Sequence, residues 1–179
     1  MQDRTTRVVS QMIKKFRDKS PQIAPSAFIS RTAVIIGDVE IGENAGVWPG
    51  AVIRGDFAHI KIGSQSIIED NAVVHCGSDM DIGEHVIVGH GAVVHGRSIG
   101  MRCLIANNST ILDDAEIGAY CIIGAGCVVS PGMKIPAHSL VFGVPGRIAG
   151  KVKPHQVERL ERGNESYQAM FESYREAGI

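Results

Sequence analysis

The sequence is short of aromatic side chains, with five Phe, three Tyr and one Trp in 179 residues. A core with so few large rings must be filled by aliphatic and small side chains. Net charge is also nearly absent, at −1 for the whole chain at pH 7. That argues against a nucleic-acid binder held by bulk electrostatics, and no nucleic-acid partner is expected. No stretch reaches the roughly 18 apolar residues of a membrane span, so no membrane partner is expected either. The opening Met1-Gln2-Asp3-Arg4-Thr5-Thr6-Arg7 lacks the apolar core of a secretory signal, and the expected location is cytoplasmic. None of the four cysteines, Cys76, Cys103, Cys121 and Cys127, forms a C-x-x-C pair. A cysteine zinc site or a thioredoxin-like site is therefore disfavoured.

What the chain does have is glycine, 21 in all, and a period of six. Aliphatic residues recur at Ile23, Ile29, Ile35, Ile41, Val47 and Ile53, then at Ile62, Ile68 and Val74 after an insertion. A second insertion precedes Ile82, Val88 and Val94. One step of five leads to Ile99, and Ile105, Ile111, Ile117, Ile123, Val129, Ile135 and Val141 continue unbroken. Four positions after the aliphatic residue the side chain is usually small, as at Ala33, Ala45, Ala51, Ser66, Ala72, Ala92, Ser109, Ala115 and Ser139. Cys103, Cys121 and Cys127 occupy this small position, so they read as buried thiols.

An internal period of this kind marks a solenoid. Each hexad makes a short strand and a turn, and three hexads close one coil. The aliphatic residue fills the interior of a three-sided prism, and the small residue fits where faces converge. Coils stack at about 4.8 Å, each stabilised by its neighbours. The expected fold is all-β, a parallel β-helix of about seven coils over residues 21–150. Residues 1–20 form an amphipathic extension. Within it Val8, Val9, Met12, Ile13 and Phe16 have helical spacing, which predicts a short N-terminal helix over 8–19. Residues 151–179 carry Val157, Leu160, Tyr167, Met170, Phe171 and Tyr174 on a helical stripe. This predicts a C-terminal α-helix, breakable at Gly163, packing on the prism.

Three of the seven histidines fall where the repeat gives them meaning. His75 follows Val74 and His95 follows Val94, the third hexads of consecutive coils. They should stack on one face a rung apart, close enough for two imidazoles to meet on one metal ion. His90 stands two after Val88, on the preceding face near a corner. It would complete a site only if a neighbouring chain presented that corner, which a threefold-symmetric prism does. His59, His85, His138 and His155 read as solvated or hydrogen-bonded turn residues.

The segment Trp48-Pro49-Gly50-Ala51-Val52-Ile53-Arg54-Gly55-Asp56, with His75, Gly89-His90 and His95-Gly96, resembles the γ-class carbonic anhydrase-like family. The ending Ile135-Pro136-Ala137-His138-Ser139-Leu140-Val141-Phe142-Gly143-Val144-Pro145-Gly146-Arg147 resembles it too. The resemblance implies a left-handed coil, a homotrimer, and zinc, with iron or cobalt possible, held by His75, His90 and His95 between subunits. It places Arg54 and Asp56 beside the metal, and implies reversible hydration of carbon dioxide to bicarbonate by metal-bound hydroxide.

The chain also departs from the family. Ile67 and Glu69 stand where the family has Asn-x-Gln. The loop Cys76-Gly77-Ser78-Asp79-Met80-Asp81 is shorter and less acidic than in active members. Ile105-Ala106-Asn107-Asn108-Ser109 replaces Ile-Gly-Met-Gly-Ala. An ionised Glu69 accepts hydrogen bonds and donates none. It is a candidate acid or base, and weak hydration is expected. Two other readings stay open: a hexapeptide-repeat acyltransferase with a catalytic histidine, and a metal-binding trimeric scaffold without turnover.

Overall fold

The hexad pattern becomes a stacked prism in the computed structural model, which describes residues 12–179. Most strands are two or three residues long and alternate with turns, and the coils pair in parallel, with a register shift between Gly37 and Val39; the final hairpin of Ser139–Phe142 and Arg147–Lys151 is antiparallel. Val74 pairs with Ile53 below and Val94 above, and Val94 in turn with Ile111. A twelve-stranded sheet folds around one corner and makes two faces, because the strands Val34–Ile41 and Val52–Ile62 run through that corner. An eight-stranded sheet makes the third face. About seven coils result.

The inward aliphatic residues form one core cluster running the length of the prism, with Ile35, Ile53, Val74, Val94, Ile111 and Val129 all fully buried. Burying such side chains stabilises by about 1.5–3 kcal/mol each. The small inward positions behave as the spacing requires. Where Ser takes that position, its hydroxyl is satisfied locally. Ser66 Oγ donates to the Gly83 carbonyl at 2.7 Å and accepts from the Val86 amide at 3.0 Å. The four cysteines are buried and free.

The outward side chains differ sharply from face to face. One face carries Val34, Val52, Val73, Val93, Thr110 and Val128 on successive rungs. The next carries Glu40, Lys61, Asp81, Ser98, Glu116 and Lys134, with ion pairs Lys61–Glu40 and Lys134–Glu116. The third carries Phe28, Gly46, Ile67, Ile87, Leu104, Ile122 and Leu140. Two helices cover it, α1 (Pro154–Arg162) and α2 (Glu165–Glu176), separated at Gly163–Asn164. Phe171 of α2 stacks on Phe28 at 5.1 Å between ring centroids. Gly46 makes room for it, since a Cβ there would lie 2.9 Å from the Phe171 ring. Met170, on the same helical stripe, is exposed. Among the described residues no helix is long and apolar enough to cross a membrane.

The N-terminal helix is not formed over the part that is described. Met12–Lys14 is a strand, parallel to Val34–Ile36 below the first coil, and Phe16 and Lys19 close a turn by pairing with each other. The first coil leaves a row of unpaired backbone groups at the open end of the sheet, and an extended segment satisfies them where a helix would not. Ile13 alternates inward against the core, while Met12 and Lys14 face out. The remainder of the predicted helix, residues 8–11, lies outside the described residues.

Candidate metal centre

The repeat brings His75 and His95 together. His75 ends the strand Val73–His75, and His95 follows the strand Val93–Val94 one rung above. His75 Nδ1 lies 3.0 Å from His95 Nε2, with ring centroids 4.9 Å apart. Arg54 is in register with His75 on the rung below, so Arg54, His75 and His95 form one column. Asp56, two residues past Arg54, turns back onto it. Its Oδ1 is 3.0 Å from His75 Nε2, and its Oδ2 accepts from Arg54 Nη1. Burial pushes the Asp56 carboxyl up, but the hydrogen bonds from Arg54 and His75 outweigh it and hold the group below its usual range.

These contacts fix where the protons sit. A carboxylate only accepts, so Asp56 keeps a proton on His75 Nε2 and leaves a lone pair on Nδ1. That lone pair must take its hydrogen bond from His95 Nε2–H, which leaves His95 Nδ1 bare. The buried His95 Nδ1 makes no well-directed hydrogen bond, although Asp113 Oδ1 is 2.9 Å away. Two imidazole nitrogens sharing one proton are a donor pair that a divalent metal takes over by displacing that proton. The carboxylate behind His75 is the outer partner such a ligand needs. The residues present therefore fit a metal. Cys76 does not join them, since its side chain is buried in the core with Sγ 3.9 Å from the His59 carbonyl, and burial pushes its thiol up to about 11.

His90 lies elsewhere. It follows the strand Ile87–Val88 of the helix-covered face, with Nδ1 3.0 Å from Asp70 Oδ2 and Nε2 3.4 Å from Glu69 Oε2. Among the described residues of one chain no three His, Cys, Asp or Glu side chains converge as a metal site. One chain places two stacked histidines together and one half-exposed histidine elsewhere.

Glu69 is with His90 and not with the stacked pair. It is 4% exposed, and both its oxygens are engaged. Oε2 accepts from the His90 backbone amide at 3.0 Å, and Oε1 accepts from the Tyr167 hydroxyl of α2. Burial first, and then the neighbouring Glu69, push the Tyr167 hydroxyl well above its usual range, so it stays protonated and donating. Sequence reasoning singled out neither Tyr167 nor Asp70 and Asp113 as site residues. Asp70 had a signal, since it stands two after Ile68 as His90 stands two after Val88. Phe57 is a further neighbour, 75% exposed with its ring 5.7 Å from that of His75.

The model of the family described as Bacterial transferase hexapeptide (six repeats) matches residues 20–55 and 98–131. A protein of Methanocaldococcus jannaschii named "Probable carbonic anhydrase" is 43% identical over 153 residues, covering 84% of this chain and 96% of that protein. The chain belongs to the γ-carbonic anhydrase-like family of hexapeptide-repeat proteins. Gamma carbonic anhydrase 2, mitochondrial, of Arabidopsis thaliana is 30% identical over 158 residues, covering 84% of this chain; the chain spans only 57% of that longer family member. Among solved structures, a hexapeptide transferase family protein from Anaplasma phagocytophilum superposes with a TM-score of 0.88 at 32% identity, covering 92% of this chain and 98% of that one. The family thus joins relatives named for carbon dioxide hydration to a structure named for group transfer.

Proposed function

We propose that this chain is a homotrimeric metalloprotein of carbonic anhydrase type, interconverting carbon dioxide and bicarbonate, weakly, at sites between neighbouring copies. The observation that carries this reading is the His75–His95 pair, backed by Asp56 and set beside the valine face. A column of half-exposed valines, Val93 the most open, invites a second copy, and the covering copy would bring its own His90 corner toward the stacked pair. When bound there, a divalent metal, zinc or else iron or cobalt, supplies a Lewis acid that brings the pKa of a coordinated water to about 7. Asp56 holds His75 in its ligating tautomer. Arg54 balances the Asp56 charge and offers further N–H donors to a bicarbonate oxygen. The valines exclude bulk water from the contact. Glu69, tied down by Tyr167 and the His90 amide, positions the His90 corner. With both oxygens occupied and a short loop at Cys76–Asp81, the chain has few groups free to carry the proton away, which favours slow turnover.

Metal analysis of the purified protein, combined with stopped-flow carbon dioxide hydration, tests this. About one metal per chain, with hydration abolished by a chelator, is expected. No bound metal after preparation with zinc present, or activity indifferent to the chelator, would overturn it. The transferase reading, favoured by the description of the superposed structure, requires the second of those outcomes together with acyl transfer.

A further inference from the structure

The helix-covered face is not covered evenly. α2 lies flush on Phe28 and Gly46, but α1 stands off the upper rungs and leaves a cleft of about 790 Å³. Its floor is Ile87, Leu104 and Ile122, the outward aliphatic side chains of three consecutive rungs. Its lower end is Glu69 and His90, and its roof includes Arg159 and Arg162. Clefts of this size take organic molecules of many heavy atoms, and bicarbonate has four.

Two arginines and one carboxyl group line the cleft. Glu69 is occupied by Tyr167 and the His90 amide, and Asp70 beside it faces His90. Arg159 and Arg162 stand three apart on α1, so they share a side of the helix. Neither makes an ion pair or hydrogen bond among the described residues. α1 is itself pinned to the prism, Arg102 Nη1 donating to the Glu161 carbonyl at 3.1 Å, so Arg159 and Arg162 line the cleft from a fixed helix. Asn107 adds an exposed amide at the wall, one rung above His90.

We propose that this cleft binds an aliphatic carboxylate of several carbons, its chain on Ile87, Leu104 and Ile122 and its carboxylate on Arg159 and Arg162. A guanidinium matches a carboxylate in shape and charge, and a dry aliphatic trough matches a methylene chain. The cleft shares Glu69 and His90 with the proposed metal centre, yet the inference rests on the floor and the arginines and not on a bound metal.

Calorimetric titration of the full chain with acetate, butanoate, hexanoate and hexanol tests it, with and without a chelator. Hexanoate should bind saturably, and each added methylene should tighten binding about three- to fourfold. Arg159→Gln/Arg162→Gln alters two exposed side chains and should weaken hexanoate about tenfold or more. Leu104→Ala should flatten the chain-length series. No saturable heat with hexanoate would overturn the proposal, as would equal affinity for acetate and hexanoate or for hexanol and hexanoate. Binding that survives the chelator keeps the proposal standing even where the metal reading fails. Loss of binding with the metal would overturn it, by placing the carboxylate on the metal.

Discussion

Two faces of one prism share the same inward residues and present opposite outward ones. Behind both lies an isoleucine and valine core at under 3% exposure on most rungs. Outside, one face reads Val34, Val52, Val73, Val93, Thr110, Val128, and the other Glu40, Lys61, Asp81, Ser98, Glu116, Lys134. Folding needs only the inward set, so the outward sets record what each face meets. The charged face meets water. The valine face carries His75 and His95 at its edge, and a partner that covers it also encloses them.

Charges carried onto the valine face should have the largest effect. Val73→Asp/Val93→Asp should reduce the sedimenting mass from three chains to one, because unpaired carboxylates would be buried on association. Lys61→Glu/Ser98→Asp places comparable charge on the other face and should leave the mass unchanged. Equal outcomes for the two pairs would erase the distinction between the faces.

Next in size is the loss of a ligand. His75→Ala, His90→Ala and His95→Ala should each abolish tight metal binding, while circular dichroism keeps the β-solenoid spectrum. None of the three side chains belongs to the buried core. Asp56→Asn, one step removed, should weaken metal about 10- to 100-fold. Full metal content in all three alanine variants would place the site elsewhere.

The period made much of this legible. Counting hexads put His75 over one face and His95 directly above it, because a rung advances the chain without turning it. The same count separated His90 from them. What the count could not reach were contacts set by elements outside the repeat. Tyr167 meets Glu69 across 98 residues, and that depends on how α2 lies over Gly46 and Phe28. Met12 to Phe16 fit a helical spacing, but an open sheet end outweighs a spacing that short. Asp56 was tied to the site by resemblance to the family. Its turn back onto His75 follows from the bend after Arg54, which no periodicity describes.

A smaller change is expected at Glu69. Glu69→Gln keeps one oxygen for the His90 amide and presents an amide N–H to the Tyr167 oxygen, so the tie between α2 and the His90 corner survives in reversed sense. It also replaces a carboxyl group with an amide beside His90, the proposed third ligand. Hydration at equal metal occupancy should rise severalfold. A fast parent and a slow Glu69→Gln variant would instead make Glu69 the base.

The smallest expected effect concerns acid, and it contrasts two carboxylates that line one pocket at the same corner of the prism. Asp56 answers to Arg54 and His75, and Asp38 to His59 and Lys19. Both are held below the usual value of 3.8, Asp38 chiefly by its hydrogen bonds to His59 and then Lys19. A carboxyl whose folded pKa is depressed releases its proton more readily in the folded chain. Its contribution to stability is therefore present above the unfolded value and lost as pH falls through the folded one. Thermal melts of chelated protein should show the parent more stable than Asp56→Asn at pH 6, with the difference shrinking below pH 4. Asp38→Asn should show the same sense with a smaller difference, since Lys19 and Asp38 are more open to solvent and screened. The contrast fails if the gap for Asp56→Asn widens as the pH drops, because the Asp56 carboxyl would then be stabilised in its protonated form and could not be holding the proton on His75 Nε2.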